Sequence, residues 1–271
     1  MARPDGVSPP WLVATDLDGT IVRADGSISS RTVAALRRVT DTGAELVFVT
    51  GRPPRWMAPI ADATGHRGLA ICANGALVYD LESERVVESR LLEAAVVADL
   101  MKSLRGAVPG LRFAVESEID MLHEVDYELS WDGGYPGVRR AQDPADLAGS
   151  PVAKLLVRHA DSDADSLLAR TREVVGDLAE LTHSSRGGLV EISAVGVTKA
   201  TTLAALCAER GIEAAEVLAF GDMPNDLAML SWAGTAYAVA NAHPEVLAAV
   251  ERHTGSVEED GVAQVLEQLF G

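Results

Sequence analysis

Asp16-Leu17-Asp18-Gly19-Thr20 follows directly on the apolar run Trp11-Leu12-Val13-Ala14. An apolar run of this length, broken by a glycine, reads as a buried strand that delivers two carboxylates to its C-terminal end. Ligands of open α/β sheets bind outside the carboxyl ends of the strands. Acids at i and i+2 supply a nucleophile, an acid/base partner and hard oxygen ligands for a small divalent cation. Asp-Gly is also an ordinary turn dipeptide. The pentapeptide alone therefore leaves an acidic turn open, and three distant segments remove most of that doubt.

Outward from this stretch, the first third of the chain alternates strand and helix. Ser29 or Ser30 caps a helix running to Thr42, which Gly43 stops. Residues 45–50 read as a second buried strand. Pro53 suits the first turn of a helix ending near Gly65. Residues 69–73 form a third strand, and Asn74-Gly75 leads into a hairpin over 76–89. Such alternation implies a parallel sheet with right-handed crossovers. The middle third differs. Its helices fall at 93–105 and 162–175 and its strands at 112–117, 152–157 and 179–183. Trp131-Asp132-Gly133-Gly134-Tyr135-Pro136-Gly137 fits no regular element. The α/β rhythm then returns: a helix over 199–210 capped by Thr198, a strand over 217–220 followed at once by Gly221-Asp222, a helix from Asn225, a strand over 236–240, and helices over 244–252 and 262–270. The expected architecture is α/β: a core with a parallel sheet from residues 1–89 and 190–271, and an inserted α+β cap over 90–189.

Four segments share one position in this scheme, at the end of a core strand or the start of the helix beyond. They are residues 16–20, Thr50-Gly51-Arg52, Thr198-Lys199, and Gly221-Asp222-Met223-Pro224-Asn225-Asp226. Strand ends of a parallel sheet converge, so these residues can meet. Three or four carboxylates, a lysine, a hydroxyl and a glycine amide suit a phosphate held beside a hard cation such as Mg²⁺.

The chain resembles the haloacid dehalogenase superfamily of phosphohydrolases, in particular its Cof-type group with a large C2-type cap. The resemblance covers nearly the whole length. It lies in the order and spacing of the four motifs, in Asn74-Gly75-Ala76, in Glu191-Ile192 leading to Lys199, and in the tail Asn241-Ala242 and Glu259-Asp260-Gly261-Val262-Ala263. It implies a Rossmann-like core and a Mg²⁺-dependent phosphatase of small phosphorylated metabolites, such as sugar phosphates or phosphorylated cofactors. By this resemblance Asp16 is the nucleophile that forms an aspartyl phosphate. Asp18 is the general acid and then base. Thr50, the Gly51 amide and Asn225 bind the phosphoryl oxygens. Lys199 holds the Asp16 carboxylate and the phosphoryl charge. Asp16, the Asp18 backbone carbonyl and Asp222 ligate Mg²⁺, with Asp226 supporting the metal or bracing Lys199. An acid at position 18 is what an alkoxide leaving group requires. A phosphomutase on the same scaffold and a non-catalytic phospholigand-binding regulatory protein are the alternatives. The presence of both Asp16 and Asp18 weighs against the second.

Around this centre stand less determined residues. Arg52 and Arg55 follow the phosphate-binding threonine. Arg52 either reaches substrate or latches the cap, and Arg55 reads as a surface or domain-interface arginine. Asn74 either contacts substrate or simply makes the hairpin. Trp131 and Tyr135 line the substrate entrance or a packing contact. Arg186-Gly187-Gly188 reads as a hairpin turn. The six histidines show no ligand spacing, and cap histidines His123, His159 and His183 touch substrate only as a minor reading.

Composition agrees. The 271 residues carry 40 acidic and 23 basic groups, a formal charge of −17, which argues against nucleic acid or an anionic membrane as partner. Cys72 and Cys207 are too few for a disulfide framework and read as small buried residues. No run approaches the ~18 apolar residues of a membrane span. The expectation is a cytoplasmic monomer or homodimer.

Overall fold

The computed structural model describes residues 10–129, 137–184 and 187–271. Trp131, Tyr135 and Arg186 lie outside the described residues. Two sheets organise the chain, and their elements run as follows.

Strand β1 (Leu12–Thr15) is wholly buried, and α1 (Ser30–Asp41) follows, with the Ser29 side chain accepting from the Thr32 N–H. Next come β2 (Glu45–Val49), α2 (Ala58–Thr64), β3 (Leu69–Cys72) and the hairpin β4 (Leu77–Asp80) and β5 (Arg85–Ser89). The helix expected from Pro53 is split into a single 3₁₀ turn, Pro54–Trp56, and α2. Pro59 has no N–H to continue a longer helix and its ring crowds the preceding turn, so the chain restarts at Ala58.

The middle of the chain holds α3 (Ala94–Ala107), β6 (Arg112–Glu116), β7 (Met121–His123), β8 (Val138–Arg140), β9 (Lys154–Asp163), α4 (Ala164–Val175), β10 (Glu180–Thr182) and β11 (Gly187–Ser193). The last part supplies α5 (Lys199–Arg210), β12 (Val217–Gly221), α6 (Leu227–Trp232), β13 (Thr235–Val239), α7 (Pro244–Ala249), β14 (His253–Thr254) and α8 (Gly261–Phe270).

The first sheet has the order β14-β13-β12-β1-β2-β3-β4-β5. Its strands are parallel from β14 to β3, and the β4–β5 hairpin adds two antiparallel strands at one edge. Parallel strands covered by helices on both faces require near-continuous apolar runs, and β1, β2 and β12 supply them with Val13, Phe48, Val49, Leu218 and Phe220 fully buried. Chain direction across the sheet reverses at β1, which pairs with β2 on one side and β12 on the other. Thr15 stands opposite Phe48 and Phe220. A crevice opens at such a switch point, and the residues just past Thr15, Val49 and Gly221 surround it.

The second sheet has the order β10-β11-β9-β6-β7-β8, antiparallel except for β7 with β8. One face packs Phe113, Leu155, Val157, Val190 and Ile192 against α3 and α4. The period of two places Ala114, Leu156 and Leu189 on the other face, with Met121 and Tyr127. Strands β7 and β8 went unforeseen because three residues are too few for alternation to register, and β11 because its first residues, Gly187-Gly188, read as a turn. The boundary expected between 189 and 190 falls inside β11. That strand runs on to Ser193 because Glu191 and Ile192 pair with Leu156 and Leu155, and Ser193 pairs with Glu180.

Candidate active site

Asp16 leaves the end of β1 with its N–H bonded to the Phe220 carbonyl (3.0 Å), so its buried side chain faces the crevice. Lys199 opens α5 behind the Thr198 cap, whose hydroxyl accepts from the Thr201 N–H at 3.1 Å. The buried ammonium of Lys199 donates to Asp16 Oδ1 and to Asp226 Oδ1, both at 2.6 Å. Asp226 Oδ2 accepts from the N–H groups of Asp222 and Met223 at 3.0 Å each. Asp226 thus fixes the turn after β12 and the lysine at once. Asp222 Oδ1 accepts from Thr20 Oγ1 at 3.3 Å, and its carbonyl accepts from the His243 N–H at 2.7 Å. Gly19 is required where it stands. Its φ is +81°, and a Cβ there would lie 2.4 Å from Asp222 Oδ2. Asn241 ties this loop to the C-terminal part of the chain, donating to the Gly19 carbonyl at 2.8 Å and accepting from the Val257 N–H at 2.8 Å.

The electrostatics follow from crowding three buried acids around one base. Burial pushes the Asp16 carboxyl up to about 7, against the Lys199 ammonium, with Asp226 repelling it further. Burial also pushes Asp222 up, to about 9, and repulsion by Asp16 and Asp226 adds to it. For Lys199, burial works against the charged form, but the two flanking acids outweigh it and hold the ammonium well above its usual range. Oxygens of Asp16, Asp222 and Asp226 lie within 4.8 Å of one another.

A divalent cation fits this set. It would relieve the repulsion that raises Asp16 and Asp222, and the all-oxygen donors suit Mg²⁺ rather than a softer metal. Asp226 has one oxygen on Lys199 and the other on two amides, so Asp16 and Asp222 keep the freer oxygens for the ion.

Asp18 stands apart from that cluster. Its side chain is 56% exposed and is clasped by the Arg52 fork, Nε to Oδ2 at 2.7 Å and Nη2 to Oδ1 at 2.5 Å. Arg52 therefore sits at the acid rather than on the cap. Thr50 is buried, and its hydroxyl accepts from the Arg52 N–H at 3.1 Å. Asn74 makes the turn out of β3 in the left-handed region (φ +58°), and it does more than turn the chain. Its N–H donates to the Thr50 carbonyl at 3.0 Å, and its Oδ1 accepts from Asn225 Nδ2 at 3.0 Å. Thr50, Asn74 and Asn225 are thereby one connected rim beside Gly51.

A cavity of about 490 Å³ lies over Asp16 between the two sheets. Its far wall is the open face of the second sheet, and the residues there were missed by sequence reasoning. Lys154 Nζ reaches across to the Gly51 carbonyl (2.8 Å) and pairs with Glu191 Oε1 at 2.5 Å. Burial pushes Glu191 up, but the Lys154 ammonium together with hydrogen bonds from Ser184 and Asn74 outweighs it and holds the carboxyl below its ordinary range. Arg55 pairs with Glu116 of β6, both side chains being under a tenth exposed, so Arg55 is an interface residue. The available signal was a lone lysine inside the apolar strand Val152-Ala153-Lys154-Leu155-Leu156-Val157, which stays buried only when paired. The cap histidines are engaged elsewhere: His183 Nε2 with Asp165 Oδ1 at 2.9 Å, His159 Nε2 with the Pro109 carbonyl at 3.2 Å, and His123 Nδ1 with the Glu124 carbonyl at 2.8 Å. Cys72 and Cys207 are free and buried.

A family described as haloacid dehalogenase-like hydrolase matches residues 13–266. The chain belongs to that family. It is 25% identical over 273 residues to the 5-amino-6-(5-phospho-D-ribitylamino)uracil phosphatase YitU of Bacillus subtilis, covering 96% of this chain and 98% of that one. It is 27% identical over 266 residues to the pyridoxal phosphate phosphatase YbhA of Escherichia coli, covering 94% and 97%. Among solved structures, SMU.1108c of Streptococcus mutans shares the fold with a TM-score of 0.83 at 20% identity, over 96% of this chain and 98% of that chain. The chain is accordingly a phosphoric monoester hydrolase of the haloacid dehalogenase type. No helix among the described residues is long and apolar enough to cross a membrane.

Proposed function

We propose that this hydrolase is a Mg²⁺-dependent phosphatase of small phosphorylated metabolites, working through an aspartyl phosphate on Asp16. The observation that carries the reading is the Lys199 ammonium held at 2.6 Å from both Asp16 and Asp226, with Asp222 converging on the same crevice. Asp16 Oδ1 is fixed by Lys199, which leaves Oδ2 as the attacking atom. In the first step a bond forms from Asp16 Oδ2 to phosphorus while the ester P–O bond breaks, and Asp18 protonates the departing alkoxide. In the second step water adds to phosphorus, its proton passes to Asp18, and the Asp16–phosphorus bond breaks to release phosphate. Arg52 must yield one Asp18 oxygen before that acid carries a proton. The Thr50 hydroxyl, the Gly51 N–H and Asn225 Nδ2 hold the phosphoryl oxygens, and Lys199 offsets their charge. Asp16, the Asp18 carbonyl and Asp222 would hold Mg²⁺, which supplies further neutralisation of the transferring group. Splitting one displacement into two in-line steps is what a covalent nucleophile contributes.

Residues 90–189, extended to Ser193, serve in this reading as the cap that selects the leaving group. The relatives named above act on a phosphorylated ribitylaminouracil and on pyridoxal phosphate. A phosphorylated cofactor or sugar is the corresponding class for this chain. Turnover of a panel of phosphorylated metabolites, with Mg²⁺ and with chelator, tests the reading. Activity is expected only with the metal, and Asp16→Asn is expected to lose about 10³-fold or more on every active substrate. Activity that survives thorough chelation, or an Asp16→Asn enzyme within tenfold of the wild type, overturns it.

A further inference from the structure

On the second-sheet side of the cavity, polarity changes along a single strand. Lys154, Leu156 and Arg158 alternate along β9 on the face turned to the cavity. Lys154, at the end near Gly51, is engaged by Glu191 and the Gly51 carbonyl. Leu156 comes next, flanked by Leu189 of β11 and by Tyr127. Arg158 closes the series, about 13 Å along the strand from Lys154 at ~3.3 Å per residue. Its register neighbour on β11 is Leu189, and its guanidinium lies 5.6 Å from the centre of the Tyr127 ring.

The cations of this cavity are not equivalent. Arg52 is paired with Asp18 and Lys154 with Glu191. Among the described residues Arg158 has no carboxylate within ion-pair distance; its guanidinium is hydrogen-bonded to the Tyr127 side chain, and its Nε is buried without a hydrogen-bond partner. A guanidinium is a planar fork whose natural partner is a carboxylate or a phosphate, and an unsatisfied buried donor favours a ligand that supplies the missing acceptor. An aliphatic and aromatic band separates this fork from the phosphate-binding end.

We propose that Arg158 is a specificity residue which binds a second anionic group, at the end of the substrate away from the ester, across an apolar or flat middle seated on Leu156, Leu189 and Tyr127. The assignment rests on the phosphatase reading and narrows it to phosphate monoesters with a distal carboxylate or second phosphate. The carboxylate and the phosphate present the same oxygens to the fork, and substrates of both kinds tell them apart.

The test compares kcat/KM, at saturating Mg²⁺, for phosphate monoesters of ω-hydroxy carboxylic acids of increasing length with their uncharged methyl esters. A matching series of α,ω-bisphosphates is run beside them. Wild-type enzyme is expected to prefer the charged member by about tenfold or more at one length, chiefly through KM. In Arg158→Gln that preference falls to about one. In Arg158→Lys, which keeps the charge and loses the fork, an intermediate ratio is expected. Far-ultraviolet circular dichroism and melting of both variants confirm that they are folded. A flat charged-to-neutral ratio in the wild type at every length, or a ratio unchanged in folded Arg158→Gln, overturns the assignment and leaves the phosphatase reading standing. Absence of turnover of any monoester overturns both.

Discussion

The two sheets place their working residues differently. In the eight-stranded sheet Asp16, Thr50 and Asp222 each stand one residue beyond a buried strand, after Thr15, Val49 and Gly221. In the six-stranded sheet Lys154 and Arg158 of β9 and Glu191 of β11 lie inside strands, on the face opposite α3 and α4. A strand end is positioned by the backbone of the whole sheet, so groups there meet in one fixed geometry whatever their neighbours. A strand face is read through side chains, so one substitution changes what it recognises without moving the strand. In the function proposed above, chemistry common to all substrates belongs to the first sheet and discrimination among them to the second.

Lys199 gives the largest test of that division. Its ammonium is, among the described residues, the cation set between two of the three buried acids, and each of its two short contacts is charge-assisted. Lys199→Met is expected to lower kcat/KM by about 10³-fold or more, and by the same factor for every substrate, since preorganised charge at the reacting phosphoryl group is the largest single contribution to such catalysis. Steady-state kinetics on a small aryl phosphate and on the best metabolite measure it. Losses that differ more than tenfold between the two substrates would break the division between the sheets.

This contrast also accounts for how much the sequence reveals. The crevice end was legible because each piece is a short motif behind an apolar run: Asp16 and Asp18 after residues 11–14, Thr50 after 45–49, Asp222 after 217–221. The order of those runs dictates a parallel sheet, and a parallel sheet brings the ends together. Pairings between motifs were not legible. Arg52 on Asp18 and Asn74 on Asn225 depend on side-chain directions set by loops. The second sheet was legible only in outline. A stretch such as Lys154-Leu155-Leu156-Val157-Arg158 reads alike whether its charges meet solvent or a cavity. Only the packing of the opposite face on α3 and α4 decides which.

Arg55 and Glu116 join the two sheets, the first from the turn after Thr50 and the second from the end of β6, with side-chain exposures of 8% and 4%. Burial pushes the Glu116 carboxyl up, and Arg55 opposes it. Removing one partner of a buried pair leaves an uncompensated group and costs about 3 kcal/mol or more, whereas replacing both by apolar residues is often near neutral. Arg55→Met is thus expected to lower the melting temperature clearly, and Arg55→Met with Glu116→Leu to recover most of the loss. Melting curves of the single and double variants measure this. A double variant no better than the single one shows that the pair is not what fastens the sheets here.

The smallest effect concerns the first sheet alone and appears only in acid. His66 follows α2 beside Phe48 of β2, their rings edge-on with centroids 4.8 Å apart. Burial pushes its imidazolium pKa down to about 4, against backbone partners at Leu69 and Leu46 that favour the charged form. The folded chain therefore resists protonation that the unfolded chain, near 6.5, accepts. The stabilisation from a neutral His66 is fully present above about pH 6.5. It is lost progressively as pH falls from there toward 4, where the folded imidazole also protonates, and it amounts to at most about 3 kcal/mol. His66→Gln has no such titration. The wild type is expected to lose more melting temperature than this variant between pH 6.5 and 4, and to change in parallel with it between pH 6.5 and 8. Hydrogen exchange at β2 and β3, set against β9 and β11, locates the loss. Greater acid lability in the second sheet than in the first, in the wild type relative to His66→Gln, contradicts the assignment of this sensitivity to the parallel sheet.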